Sequence, residues 1–334
     1  MPATIRRVDK SHQRILVTGG AGYIGSTTAL LLADAGYRVL VADNLCRGHR
    51  QSVHPACLRE VDILDTERLV ALLTAEPCDA VIHFAAFIAV GESMQMPGEY
   101  FRTNVGGSLS LLMAMQRTGV KRLVFSSTAA VYGDPAASPI PESAPFAPVS
   151  PYGESKVMVE RLLRWFDEIH GIRSIALRYF NASGCDLQGR TGEDHEPETH
   201  LIPLLFRAIR SGVPITLFGD DYPTPDGTCL RDYIHVSDLA EAHILALEAL
   251  AQGARSAKYN AGTGLGYSVK EVVAAVEQVT GQKVPTITGP RREGDSPSLV
   301  ADSSRLQAEL GWKPQHSDLA TIVGTAWQWA NRVH

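Results

Sequence analysis

The chain has 334 residues, with 31 Lys and Arg against 36 Asp and Glu and a formal net charge of −5. Hydrophobic residues make up 45% and charged residues 20%, which excludes long disorder and suits one large α/β domain, or a large domain carrying a smaller one. A pI near 6.1 without a Lys/Arg block gives no footprint for nucleic acid or an anionic membrane, and no run of about 18 apolar residues is there to span a bilayer.

Residues 1–13 (Met1–Gln13) are polar and basic without an apolar stretch, so they predict an N-terminal tail and not a secretory signal. Arg14–Thr18 predicts a short strand buried on both faces, and Tyr23–Ala35 a helix ended by Gly36. The strand pattern recurs at Arg38–Asp43, Ala80–Phe84, Arg122–Ser126 and Arg173–Arg178. Helical stretches fall between them, notably around Tyr100–Arg117 and Tyr152–Ile169. This alternation predicts a doubly wound parallel sheet flanked by helices. Gly184–His200, rich in Gly, Asp, Glu and His, predicts a long irregular connection, a kind of loop that is uncommon unless functional. Beyond it come a helix at Leu201–Ser211, a strand at Ile215–Phe218, a polar turn-rich segment Gly219–Leu230 and a helix at Asp238–Ala251. A further helix over Ser268–Thr280 opens on a capping box, Ser268 with Glu271. The expected division is a main α/β domain over 14–183. A smaller α/β lobe over most of 184–334 would lie on the sheet's carboxyl edge, with some segments returning to the main domain.

Gly19-Gly-Ala-Gly22-Tyr-Ile-Gly25 follows the first strand and opens the first helix. Glycines there permit a tight turn and let the backbone approach a pyrophosphate resting on the helix N-terminus. Asp43 closes the second strand, 18 residues after Gly25. A carboxylate there suits ribose hydroxyls and repels a 2′-phosphate, which favours NAD over NADP. Arg47 and Arg50 lie close enough in sequence to take a phosphate instead, and Asp43 also suits a plain strand-end turn.

Tyr152 and Lys156 stand four apart, on one face of a helix. Tyrosine is a poor base near its ordinary pKa of about 10, and a neighbouring ammonium is expected to favour the phenolate. Ser126-Ser127-Thr128 ends the strand Arg122–Ser126 with hydroxyls at its carboxyl end, where a substrate hydroxyl would be held. Thr128 also suits a turn-forming hydroxyl. His195 and His200 lie in the acidic loop, but no third ligand stands at helix or strand spacing, so no metal is expected. The cysteines (Cys46, Cys57, Cys78, Cys185, Cys229) are odd in number and never paired as CxxC. They predict neither disulfides nor structural zinc, and a reducing, cytoplasmic setting.

Together the glycine pattern, Ser127-Thr128 and Tyr152/Lys156 resemble the extended short-chain dehydrogenase/reductase superfamily. From about Arg14 onward the chain resembles its UDP-glucose (UDP-galactose) 4-epimerases. The stretches that carry this are Asp43-Asn-Leu, Asp62-Ile63, Phe84-Ala-Ala, Val90-Gly-Glu-Ser93, Val131-Tyr-Gly-Asp134 and Arg178-Tyr-Phe-Asn181. Gly192-Glu-Asp-His-Glu-Pro197, Gly219-Asp-Asp-Tyr-Pro223, Arg231-Asp-Tyr-Ile-His-Val236 and Arg291-Arg-Glu-Gly-Asp295 follow in the family's order. The resemblance implies a Rossmann-type domain with NAD lined by Tyr23, Ile24, Asp43, Asn44, Asp62, Ile63, Phe84, Ala85, Ala86, Ser126, Tyr152, Lys156 and Phe180, beside Gly19, Gly22 and Gly25. Thr103-Asn104 takes the place of the family's Asn-containing contact, with Thr at its first position. Ile88 replaces a lysine present in some members.

The resemblance further implies a UDP-hexose held by Asn181, His200, Leu201, Leu217, Phe218, Arg231, Arg292 and Asp295, with Thr128 and Tyr152 at the sugar. His200 stands where some relatives have Asn. The implied reaction is 4-epimerisation: Tyr152, assisted by Thr128, takes the 4-hydroxyl proton while the C4 hydride moves to NAD. The 4-keto sugar then turns and receives the hydride back, with Lys156 tuning Tyr152. Family members pair helices such as Tyr100–Arg117 and Tyr152–Ile169 into two-fold dimers, so a homodimer is expected. Leu299, four after Asp295, is implied as a wall beside the sugar C2 substituent, giving slower turnover of UDP-N-acetylhexosamines. Alternatives are a UDP-GlcNAc or UDP-pentose epimerase, a catalytically silent NAD-binding protein, and a 4,6-dehydratase. The dehydratase usually has Asp-Glu after the catalytic Thr, where this chain has Ala129-Ala130.

Overall fold

Continuous aliphatic runs form the central strands, because a strand buried on both faces has no polar side to display. In a computed structural model that describes residues 10–135, 137–292 and 295–333, seven strands make one parallel sheet, the central ones being runs of this kind. They are β1 (Arg14–Thr18), β2 (Arg38–Asp43), β3 (Leu58–Glu60), β4 (Ala80–His83), β5 (Arg122–Thr128), β6 (Arg173–Tyr179) and β10 (Ala257–Ala261). Their order across the sheet is β10-β6-β5-β4-β1-β2-β3. β1 pairs with both β2 and β4, so the strand order reverses at β1. Doubly wound folds take their ligands at such a reversal point.

Helices cover both faces. On one, α1 (Tyr23–Asp34) and α8 (Val236–Ala251) pack with Ile15, Val17, Ile82, Val124, Leu239 and Leu247. On the other, α2 (Thr66–Ala75), α5 (Gly107–Thr118) and α6 (Pro151–His170) enclose Leu16, Leu40, Val81, Leu111, Leu123 and Val159. Two short helices, α3 (Val90–Gln95) and α4 (Pro97–Tyr100), lead into a π-helical turn at Phe101–Gly106. The helix read as continuous from Tyr100 therefore changes winding just before α5, an irregularity common near functional sites.

The remaining segments build a smaller layer. β7 (Asn181–Ser183), β11 (Gly266–Ser268) and β13 (Ser298–Leu299) all pair with β9 (Leu230–His235), while β8 (Ile215–Phe218) pairs with β12 (Thr286–Gly289). α7 (Leu201–Ser211), α9 (Val269–Thr280) and α11 (Leu319–Val333) share a separate core of Ile202, Phe206, Val272, Val276 and Ile322. α10 (Ser304–Leu310) packs by β10. The capping box at α9 forms as Ser268 and Glu271 predict. Asp232, fully buried in β9, joins these pieces: Oδ1 accepts from the Thr263 N–H at 2.9 Å, and Oδ2 from Gly264 N–H at 3.0 Å and Ala301 N–H at 3.1 Å.

Tail residues 1–9 lie outside the described residues; Lys10–His12 form a 3-10 turn. Glu293 and Gly294 of the Arg291–Asp295 stretch also lie outside the described residues. All five cysteines are free thiols.

One ion pair sits inside the molecule. Arg178 of β6 is fully buried and donates to Glu160 of α6 through Nε at 2.9 Å and Nη2 at 2.6 Å, and to Tyr132 Oη at 2.8 Å. Removing one partner of such a pair strands the other charge without water, so Glu160→Ala is expected to cost about 3–5 kcal/mol. A urea titration against the unsubstituted protein checks this; an unchanged midpoint would contradict it.

Candidate active site

Two groups of residues meet at the carboxyl edge of the sheet. The first is the glycine turn between β1 and α1. Gly19 has φ +68°, and a Cβ there would lie 2.5 Å from Ala85 N; a Cβ on Gly25 would lie 2.2 Å from Gly19 O. Backbones approach this closely only without side chains. α1 starts at Gly22 with no side chain capping it, which leaves its first N–H groups for an external anion.

Asp43 ends β2 beside this turn and is 8% exposed. Its Oδ2 accepts from Ala21 N–H at 3.0 Å and its Oδ1 from Leu45 N–H at 2.8 Å. Each carboxylate oxygen keeps a lone pair for a ribose hydroxyl. The two nearby arginines are committed elsewhere. Arg47 holds Glu92 at 2.6 Å and Arg50 holds Glu60 at 2.5 Å. The turn, its uncapped helix and the free carboxylate lone pairs fit a dinucleotide without a 2′-phosphate.

Other expected cofactor residues line the same edge. Asn44 donates to Asp62 at 3.2 Å, Asp62 accepts from Leu64 N–H at 2.9 Å, and Ile63 is buried against Gly107. Phe84, Ala85 and Ala86 follow β4. Tyr23 and Ile24 open α1, with the Tyr23 hydroxyl turned to Gly184 O at 2.6 Å. Asn104 departs from expectation. Its amide is spent within the protein, on Phe87 N–H at 2.8 Å, Phe87 O at 3.0 Å and Ser155 Oγ at 3.0 Å. It therefore ties the π-helical turn to α6 instead of presenting a free amide; its neighbour Thr103 is partly buried in the same turn.

The second group comes from β5 and α6. Ser150 caps α6 by accepting from Gly153 N–H at 3.2 Å, and Pro151 occupies its first turn. This places Tyr152 and Lys156 one turn apart against the end of β5. Lys156, 2% exposed, donates to Ser126 O at 2.9 Å and lies 5.9 Å from the centre of the Tyr152 ring. Burial lowers its ammonium to about 7. Burial also raises the Tyr152 phenol, while the Thr128 hydroxyl acts in the opposite direction. The expected depression of the phenol by Lys156 is thus outweighed in the protein alone, because both groups lose water and Lys156 is aimed at a carbonyl. Tyr179 Oη, which bonds Ser126 Oγ, adjoins this pair and was not anticipated from sequence.

The residues expected to meet the substrate converge in part. Arg231 lies opposite Leu299 in the β9–β13 register and contacts Asp295 at 3.4 Å, and Arg292 contacts Asp295 at 3.1 Å while its guanidinium lies over the Phe218 ring. Leu217, in β8, is buried. Asn181 donates to Asp232 O at 3.1 Å. Leu299 and Phe180 pack beside Ala129 and Val131, next to Thr128. His200 and Leu201 stand at the start of α7, where the His200 imidazole pairs with the carboxylates of Glu193 and Glu198. These two carboxylates are the ligand-type neighbours of His195 and His200 that helix or strand spacing did not reveal, since all lie in one irregular loop.

Residues 15–262 match the NAD dependent epimerase/dehydratase family. The chain belongs to this family. It is 49% identical to a UDP-glucose 4-epimerase of Halalkalibacterium halodurans over 94% of this chain and 95% of the relative. The structure of UDP-glucose 4-epimerase from Brucella ovis in complex with NAD superposes with a TM-score of 0.93 at 46% identity, covering 95% of this chain and 98% of the other. That of the UDP-Glc/GlcNAc 4-epimerase from Campylobacter jejuni superposes with a TM-score of 0.85 at 37% identity, covering 96% and 99%. As a family member the chain uses NAD.

Two expectations follow. Gly25→Ala would press its Cβ into Gly19 O and is expected to weaken NAD binding at least tenfold; fluorescence titration measures it, and unaltered affinity would contradict the cradle. A lysine held below its ordinary value costs stability while it is protonated, and that cost is relieved as pH rises from about 7 toward 10.5, where only the unfolded chain keeps the proton. The urea midpoint of cofactor-free protein should therefore rise more between pH 7 and 9 than that of Lys156→Met. Equal slopes would contradict the burial of Lys156.

Proposed function

We infer that the chain interconverts UDP-galactose and UDP-glucose through a transient 4-keto sugar. The observation that carries this is Thr128, Tyr152 and Lys156 gathered at the carboxyl edge beside the glycine turn. When bound, NAD supplies a two-electron acceptor and donor for the sugar C4 hydrogen and a positive ring charge. Gly19, Gly22, Gly25, Asp43 and Lys156 hold and orient it. Tyr152 Oη, desolvated and close to Thr128, takes the proton of the sugar 4-hydroxyl and later returns it. Thr128 Oγ1 positions that hydroxyl. Lys156, fixed by Ser126 O, stands one helical turn from Tyr152 at the buried edge.

Arg231 and Arg292 anchor the diphosphate, each already oriented by Asp295. The sugar side is lined by apolar Leu299 and Phe180. Firm anchoring at one end and loose contact at the other let the keto sugar turn without leaving. Tyr152→Phe should retain NAD and lose epimerisation of UDP-galactose, followed by chromatographic separation of products without added NAD. Near-normal turnover would sink this assignment.

Leu299 limits but does not bar a C2 acetamido group, because apolar crowding alone discriminates by only about 1–3 kcal/mol. UDP-N-acetylhexosamines are thus slower substrates, a reading supported by the dual specificity in the name of the Campylobacter jejuni relative. Leu299→Tyr should lower, and Leu299→Ser raise, the ratio of specificity constants for acetamido over hydroxyl sugars. No change in either would remove Leu299 as the gate.

The working unit is a homodimer. Leu109 and Met113 of α5 and Met158 and Trp165 of α6 expose 37–50% of their surface on helices packed side by side, an apolar face that a second copy would cover. Light scattering at micromolar concentration should give twice the chain mass; a monomer would overturn this.

A further inference from the structure

The loop between β7 and α7 holds a side-chain cluster separate from the Thr128/Tyr152/Lys156 group. Glu193, His195, Glu198 and His200 each offer one ligand-type atom, and these atoms all lie within 4.8 Å of one another. His200 Nδ1 is 2.5 Å from Glu193 Oε1 and 3.4 Å from Glu198 Oε1. His195 Nδ1 is 3.2 Å from Glu193 Oε1 and 3.9 Å from Glu198 Oε2. Four ligands about 2.1 Å from a tetrahedral ion stand roughly 3.4 Å apart, so these separations suit one small cation.

A second observation points the same way. The carboxylates of Glu193 and Glu198 are only 7% and 6% exposed, yet Glu193 Oε1 and His195 Nδ1 have no properly oriented hydrogen-bond partner. They are close without being aligned to share a proton. Once both imidazoles have given up their ionising protons in favour of a cation, as ligation requires, the two carboxylates carry −2, which one divalent ion balances. The loop backbone is meanwhile held from several directions. Asp194 O bonds His49 Nε2 at 2.8 Å, Glu196 O accepts from Arg47 at 3.1 Å, and Glu193 O accepts from Trp329 Nε1 at 2.9 Å. The four side chains are thus set in place by the segment after β2 and by α11, and need little reordering to bind.

We propose that Glu193, His195, Glu198 and His200 form a four-coordinate site for a divalent transition metal of the zinc type. Two imidazoles with two carboxylates suit Zn²⁺ or Co²⁺ better than Mg²⁺ or Ca²⁺, which prefer all-oxygen shells of six or more ligands. The ion takes no part in the sugar chemistry. It fastens the loop that bridges the NAD-binding half and α11.

The test uses NAD-loaded, full-length protein without a polyhistidine tag, stripped with chelator and titrated with Co²⁺. One equivalent should produce the visible d–d absorption of a four-coordinate nitrogen–oxygen site. Zn²⁺ should displace it and raise the unfolding temperature by a few degrees. His195→Gln and Glu198→Gln should each lose the band while keeping bound NAD and native circular dichroism. Carbethoxylation of the unsubstituted protein gives a readout that needs no variant: among the eleven histidines, Zn²⁺ should protect His195 and His200 selectively. Absence of a stoichiometric band, its survival in either variant, or equal modification of His195 and His200 with and without Zn²⁺ would each overturn the proposal.

Discussion

A parallel sheet buried on both faces confines polar chemistry to its edges. The central strands of the large sheet are largely apolar and covered by helices, so a side chain that must meet a soluble ligand does so where a strand ends. Thr18, Asp43, His83, Thr128 and Tyr179 are the last residues of β1, β2, β4, β5 and β6. The strand order reverses at β1, which sends the neighbouring connections to either side of it. The glycine turn, the Asp43 carboxylate at the end of β2 and the hydroxyl–phenol pair all depend on this one arrangement.

The same burial sets the electrostatics. Lys156 and Tyr152 are both desolvated, which pushes the ammonium down to about 7 and the phenol up, so neither takes its ionised form readily in the protein alone. Charge arriving with the cofactor then has a large effect, since little water is present to screen it. In the proposed mechanism this keeps Tyr152 inert as a base until NAD is in place. Lys156 gives part of its hydrogen-bonding capacity to Ser126 O, which holds α6 against β5 and sets the distance between phenol and sheet edge.

The smaller layer solves a different problem. Its strands β9 and β13 are held in place by the buried Asp232 carboxylate, which bonds the backbone of both the 263–264 turn and Ala301. That fastening sets Leu299 opposite Arg231. A guanidinium and an apolar side chain thereby sit side by side, each tied to the same strand pair; in the proposed function they serve the diphosphate and the sugar. The Asp295 carboxylate orients both arginines but leaves Arg292 exposed, a side chain free to close on an anion.

Much of this was legible in the residues. Aliphatic runs marked β1, β2, β8 and α7 to the residue, and the glycine spacing with Asp43 marked the dinucleotide turn, because these features are local and follow from steric rules along the chain. Tyr152 and Lys156 were visible for the same reason, as neighbours one helical turn apart. Other features depended on segments far apart in sequence. The return of β10 to the large sheet, the closure of Asn104 on Phe87 and Ser155, and the aim of Lys156 at a carbonyl instead of at the phenol were set by packing. So was the convergence of Glu193, His195, Glu198 and His200, four residues of an irregular loop with no period from which their meeting could be read. Sequence by itself determined which chemical groups were present and which faced a common side of a regular element; only the tertiary structure decided which of them met, because burial and long-range contact, not spacing, choose the partners.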